Sequence, residues 1–203
     1  MWRRTLTFLL SLLSMVMAEV TNHYFKHLGV SDGLSQVCIP SIYQDELGAV
    51  WLGTTEGLNR YNGKDVKVFQ PSESNHGLTN NEINELCGDK NGRMYIRSGN
   101  DLIKLDIYTE QFTCLRQKGV YGLFCKKDTL WVSCADGIYY YTGQGTELTF
   151  FARVQKGFVG RALYVDKETV WVVTRKYLVA ISREDPLRQE ILLTLDKGNC
   201  ILG

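Results

Sequence analysis

Three histidines, six cysteines and a scatter of serines and acids are the side chains of this 203-residue sequence that could do chemistry. Their spacing supports little of it. His23, His27 and His76 do not stand at metal-ligand intervals, and no CxxC occurs among Cys38, Cys87, Cys114, Cys125, Cys134 and Cys200. Neither a zinc site nor a dense disulfide framework is therefore indicated. Pairs such as Leu86-Cys87 and Phe124-Cys125 put the sulfur in apolar stretches, which reads as buried thiols. No nucleophile-elbow string is present, so no catalytic residue, metal or cofactor is assigned. Binding is better served by Gln36, Asn80, Asn81 and Arg161, with Arg97 and Arg175 as lesser candidates. Asn80 and Asn81 could equally shape a turn, and the arginines could snorkel outward. Which reading holds depends on the elements that carry these residues.

Those elements repeat. Asp32-Gly33-Leu34-Ser35 returns as His76-Gly77-Leu78-Thr79, and Val50-Trp51-Leu52-Gly53 as Met94-Tyr95-Ile96-Arg97, both offset by 44 residues. The aromatic recurs as Trp131 and Trp171, at intervals of 36 and 40. Repeats of about 40 to 45 residues identify a β-propeller. Each unit reads as four short strands, in the first unit Val37 to Tyr43, Ala49 to Thr54, Leu58 to Tyr61 and Val66 to Phe69, with Gly-bearing turns between them. The fold class is all-β, with about four four-stranded blades at 34–70, 78–115, 120–152 and 160–195. Gln36, Asn80, Asn81 and Arg161 then open the innermost strands and rim the channel mouth. An aromatic repeated in every unit could stack on a sugar but is better explained by packing between blades. Asp45, Asp89 and Asp166 occupy a recurring turn, where a short carboxylate accepts backbone N–H groups.

The N-terminus carries a different signal. Arg3 and Arg4, the apolar stretch Thr5 to Met17 and the small residue at Ala18 read as a secretory leader over residues 1–18, with 19–203 as the mature chain, exported to a periplasm. The apolar run falls short of the roughly 20 residues of a membrane-spanning helix. Cleavage removes two of 23 bases and none of the 22 acids, which leaves a nearly neutral chain. Nucleic acid is thereby excluded as a main partner.

The string Tyr43-Gln44-Asp45-Glu46-Leu47-Gly48-Ala49-Val50-Trp51-Leu52-Gly53-Thr54-Thr55-Glu56-Gly57-Leu58, preceded by Asp32-Gly33-Leu34-Ser35, resembles the two-component regulator propeller repeat. The second unit departs from that pattern at Tyr95, Arg97, Ser98 and Asp101, and the third and fourth keep the Trp and little more. The resemblance implies a seven-bladed propeller on the periplasmic side of a hybrid sensor histidine kinase, where many such sensors respond to oligosaccharides. It also implies a homodimer in the full-length context.

Two features are expected of an incomplete ring. Residues 23–29 look like the outermost strand of a preceding blade, and 199–203 like the start of a further one. The missing blades and downstream sensor domains would be partners, because an open arc exposes edges and apolar faces. A closed four-bladed ring is the alternative. The function expected is ligand sensing without kinase activity in this chain, with an exported glycan- or protein-binding module, or a propeller lyase or hydrolase, as the other readings.

Overall fold

In the computed structural model the described residues are 25–71, 77–154 and 159–194. The leader at 1–18, the first two residues of the expected leading strand and the expected fifth-blade start at 199–203 lie outside them.

Sixteen strands form four antiparallel sheets, each a meander in chain order. Blade 1 comprises β1 (Ser41–Gln44), β2 (Val50–Thr54), β3 (Gly57–Tyr61) and β4 (Val66–Phe69). Blade 2 comprises β5 (Ile83–Gly88), β6 (Arg93–Ser98), β7 (Asp101–Asp106) and β8 (Gln111–Lys118). Blade 3 runs through β9 (Val120–Lys126), β10 (Thr129–Cys134), β11 (Gly137–Tyr141) and β12 (Thr149–Ala152). Blade 4 holds β13 (Val159–Val165), β14 (Thr169–Thr174), β15 (Tyr177–Ser182) and β16 (Gln189–Thr194).

The alternation of side chains along a strand decides which neighbour each face meets. Register sets Tyr43, Trp51 and Arg60 opposite one another in blade 1, and Cys87, Tyr95 and Lys104 in blade 2. Phe124, Trp131 and Tyr140 align likewise in blade 3, and Tyr164, Trp171 and Ala180 in blade 4. The repeated aromatic thus marks the face each blade turns to its successor. Three apolar clusters fill the three seams. Trp51, Leu58 and Phe69 meet Ile83, Leu86 and Met94; Tyr95 and Leu102 meet Val120 and Leu130; Trp131 and Ile138 meet Leu163 and Val170. Packing among the described residues runs from blade 1 to 2, 2 to 3 and 3 to 4, with none comparable between blades 4 and 1. Trp51, Tyr95 and Trp131 are therefore core residues, as a packing role requires.

A carboxylate latches the ring from within the blade. Asp45 accepts the N–H groups of Leu47 and Ala49 through Oδ1 and the Trp51 indole N–H through Oδ2 at 2.8 Å. Asp166 does the same for Glu168, Thr169 and Trp171. In blade 2 the aromatic is Tyr95, which offers no indole, and Asp89 instead accepts from Arg93 Nε at 2.5 Å. Blade 3 has Lys126 at this position, and its ammonium donates across the seam to the Val165 carbonyl.

Two strand expectations are corrected. The inner strand of blade 1 starts at Ser41 rather than Val37, because Pro40 lacks the N–H that a ladder uses. Residues 25–29 hold no strand pairing, and a 3₁₀ turn follows at Val30–Asp32. No described strand lies beside them to complete a ladder, and Phe25 stands 93% exposed.

Candidate ligand rim at the inner-strand mouths

Antiparallel register gathers the sequence candidates at one end of the arc. Ser41 opens β1 opposite Gly53 near the end of β2, Ile83 opens β5 opposite Ser98, and Val159 opens β13 opposite Thr174. The approaches to the inner strands therefore share an end with the second-to-third-strand turns of every blade. Gln36, Asn80 and Asn81 lie on those approaches, Arg161 lies in β13 near its opening, Arg97 sits beside the turn at Gly99, and Arg175 sits in the turn after β14. The Asp45, Asp89 and Asp166 turns lie at the opposite end.

Blade 2 brings three of the six together. Asn80 Oδ1 accepts the Glu82 N–H at 2.9 Å, and its carbonyl accepts Ser98 Oγ at 2.8 Å. Asn81 extends the link to blade 1, where its carbonyl accepts the Gly57 N–H at 2.8 Å. Arg97 turns inward, with 7% of its surface exposed, and donates to Glu85 Oε2 at 3.4 Å and to the Gly99 carbonyl at 3.3 Å. The outward snorkelling considered for it does not occur, because Glu85 stands directly across the ladder. Arg175 is exposed and matches that expectation. Gln36 turns back on its own chain, accepting the Val37 N–H at 2.6 Å. No described hydrogen bond joins Gln36 or Arg175 to the blade 2 group. The side chain of Arg161 lies outside the described residues.

Two polar residues of this rim escaped the sequence reading. Asn84 donates from Nδ2 to Glu82 Oε1 at 2.5 Å, while its Oδ1 is buried without a hydrogen-bond partner among the described residues. A buried amide oxygen without a donor loses its hydration for nothing in return. Glu85 was the other, and its signal was the polar pair Asn84-Glu85 between Ile83 and Leu86. The described rim side chains are amides and carboxylates, the Arg97 guanidinium paired with Glu85, and the exposed guanidinium of Arg175. Among the described residues no group of His, Cys, Asp and Glu could hold a metal ion. No described helix is long and apolar enough to cross a membrane.

Comparison with known proteins agrees with this architecture. Residues 33–56 match the family model described as two component regulator propeller. A 53-residue stretch is 40% identical to Histidine kinase P4 of Formosa agariphila, covering 26% of this chain and 4% of that protein. The extracellular domain of a hybrid two component system from B. thetaiotaomicron superposes with a TM-score of 0.68 at 21% identity, over 83% of this chain and 26% of that one. PorZ, a surface component of the type-IX secretion system of Porphyromonas gingivalis, gives 0.67 at 17% identity, over 87% of this chain and 25% of that one. Virginiamycin B lyase of Staphylococcus aureus shares the fold more distantly, at 0.57 and 10% identity. At these identities the structural likeness is one of fold, and it is that of β-propeller domains. The chain spans about a quarter of the length of the first two structures.

Proposed function

We propose that this chain, which carries the two component regulator propeller repeat, is the ligand-sensing propeller region of an exported two-component sensor, and that its ligand is an oligosaccharide. The repeat at 33–56 carries the sensor reading. Supporting it is the open arc: each of the first three blades buries its aromatic under a successor, whereas Trp171 is half-buried and no described blade covers it. Further blades would complete the ring and couple it to a kinase. A ligand then signals by binding two arrangements of the neighbouring domains with different affinity. Export through residues 1–18 to a periplasm is part of the same proposal.

The ligand class rests on the exposed amides of Asn80 and Asn81 and the carboxylate of Glu82 at the rim, beside the inward Arg97–Glu85 pair. Sugar hydroxyls both donate and accept, so they match amides and carboxylates better than a charged ligand would. Presenting the chain to an array of neutral oligosaccharides and measuring the retained ones by calorimetry tests this. Binding that weakens about tenfold on Asn81→Ala, the loss of one side-chain hydrogen bond, supports the reading. Retention of no glycan, or retention indifferent to Asn81, rejects the ligand class. Mass and thermal unfolding of residues 19–203 test the arc, since a cooperative melt from a compact monomer would contradict the need for further blades.

A further inference from the structure

The seam between blades 2 and 3 carries a chemistry that the other two seams lack. On each inner strand, the residue opposite the repeated aromatic faces forward, and the next residue along faces back. At the first seam the forward residue is Tyr43 and the backward one Gly88, where a Cβ would stand 2.1 Å from the Tyr43 hydroxyl. The third seam places forward-facing Phe124 against the cluster that contains backward-facing Val165. Each of these pairs sets a large ring against a smaller residue. The second seam fills the same two positions with Cys87, opposite Tyr95, and Cys125, opposite Leu130. Their sulfurs lie 2.7 Å apart, on the inner strands of two different blades.

We propose that Cys87 and Cys125 are a modification site, forming a disulfide that joins blade 2 to blade 3 when the chain meets a disulfide oxidant. The sulfurs need only small side-chain rotations to reach bonding distance. Two thiols are oxidised and one oxidant disulfide is reduced. Cys125 as thiolate attacks a sulfur of the oxidant and expels one thiolate. Cys87, as thiolate, then attacks Cys125 Sγ and expels the second, and the two protons pass to the departing thiolates. That such an oxidant is met in the cell rests on the export reading; the bond itself does not.

The position in the fold also sets the timing. Burial, the neighbouring sulfur and the negative side chains of Glu85 and Asp89 push the Cys87 thiol well above its ordinary range. A closed seam therefore holds Cys87 as a protonated, slow-reacting thiol, and oxidation belongs to the stage at which blades 2 and 3 come together. Competing partners are poorly placed. Cys38 and Cys114 are exposed, the Cys114 thiol donates to the Gly77 carbonyl on another seam, and Cys134, though buried in the same seam, sits opposite Val120 at the far end of β10 from Leu130.

The test is to unfold the purified full chain, refold it in a glutathione and glutathione-disulfide buffer, block free thiols under acid, and map disulfides in an unreduced digest. A Cys87–Cys125 cross-linked peptide is expected, together with a melting temperature lowered by about 5–10 °C on reduction. Alkylation of both thiols after equilibration, or bridging of either one to Cys38 or Cys114, would overturn the proposal without recourse to any variant. A parallel digest of the chain made in cells with its own residues 1–18 bears on export alone. Bridging in the buffer but free thiols in the cell would support the site and reject the export reading.

Discussion

Trp51 and Trp171 occupy the same position of the same repeat, and each gives its indole N–H to a turn aspartate at 2.8 Å. Trp51 is fully buried against Ile83, Leu86 and Met94 of the next blade; Trp171 is half-buried, with no described blade in front of it. The pair separates two contributions that a single blade cannot distinguish. The latch belongs to the blade and survives at both ends of the arc. Burial belongs to the seam and requires a successor.

Truncating the two rings is the strongest way to break this comparison. Trp51→Ala empties the centre of the first seam and should cost about 3–5 kcal/mol, as expected for a fully buried large aromatic. Trp171→Ala should cost less, about 2 kcal/mol, since part of its area is already in water. Urea denaturation of the two variants checks the gap. Equal losses would mean that Trp171 is sealed by something else, and the open-arc reading would fail. On the proposed open-arc reading, a further blade placed after blade 4 should raise the cost at Trp171 towards that at Trp51.

The next largest effect comes two residues further along β2. A Cβ on Gly53 would lie 2.8 Å from Ile83 Cγ2 and 3.1 Å from the Ile83 carbonyl, so the first seam closes on bare backbone. The matching position in blade 4 is Val173, which is half-buried and meets no such wall. Gly53→Val should therefore destabilise by about 2–3 kcal/mol through overpacking, whereas Val173→Gly should lose only about 1 kcal/mol through added backbone freedom. Thermal melts of both variants measure this. A silent Gly53→Val would show that blades 1 and 2 can part without loss.

How much of this was legible depends on the range of the interaction. The four-stranded unit and the turn aspartates could be read because each is fixed by residues within one repeat, and the packing role of Trp51, Tyr95 and Trp131 because an aromatic in every unit is tied to the fold rather than to one site. Residues 25–29 hold no strand because a strand exists only with a partner, and the described residues supply none. Pro40 was visible and should have delayed β1. The rim was half legible. Its location followed from strand order, but the inward turn of Arg97 depends on Glu85 across a bulged ladder, and the orphaned Asn84 oxygen depends on side-chain rotation. Cys87 and Cys125 are 38 residues apart in sequence, and only the seam makes them neighbours.

Within the latch itself the expected effects are smaller. Asp45 is buried and makes three hydrogen bonds, so Asp45→Asn must leave at least one donor facing an N–H₂ group. A loss of about 1–2 kcal/mol is expected in urea titrations at neutral pH, with the Trp51 fluorescence altered in the native state. Asp89→Asn frees Arg93 rather than an indole and should leave tryptophan fluorescence unchanged. A shift in fluorescence there would break the distinction between a tryptophan latch and an arginine latch.

The smallest effect is the most specific, because it reads the latch at the open end through pH. The Trp171 indole N–H, followed by the N–H groups of Glu168 and Thr169, holds the Asp166 carboxyl below the usual carboxylate range. A carboxyl whose folded value is depressed contributes stability that is present above its unfolded value, near 3.9, and is lost as pH falls through the folded value. Asp166→Asn cannot titrate, so the stability gap between it and the parent chain should hold steady from pH 7 to about pH 5 and close below about pH 4. Unfolding measured in urea at several pH values gives that gap, and other acids, including the similarly depressed Asp106, cancel in the difference. A gap that persists unchanged into strong acid would mean that Asp166 holds Trp171 by shape and not by charge.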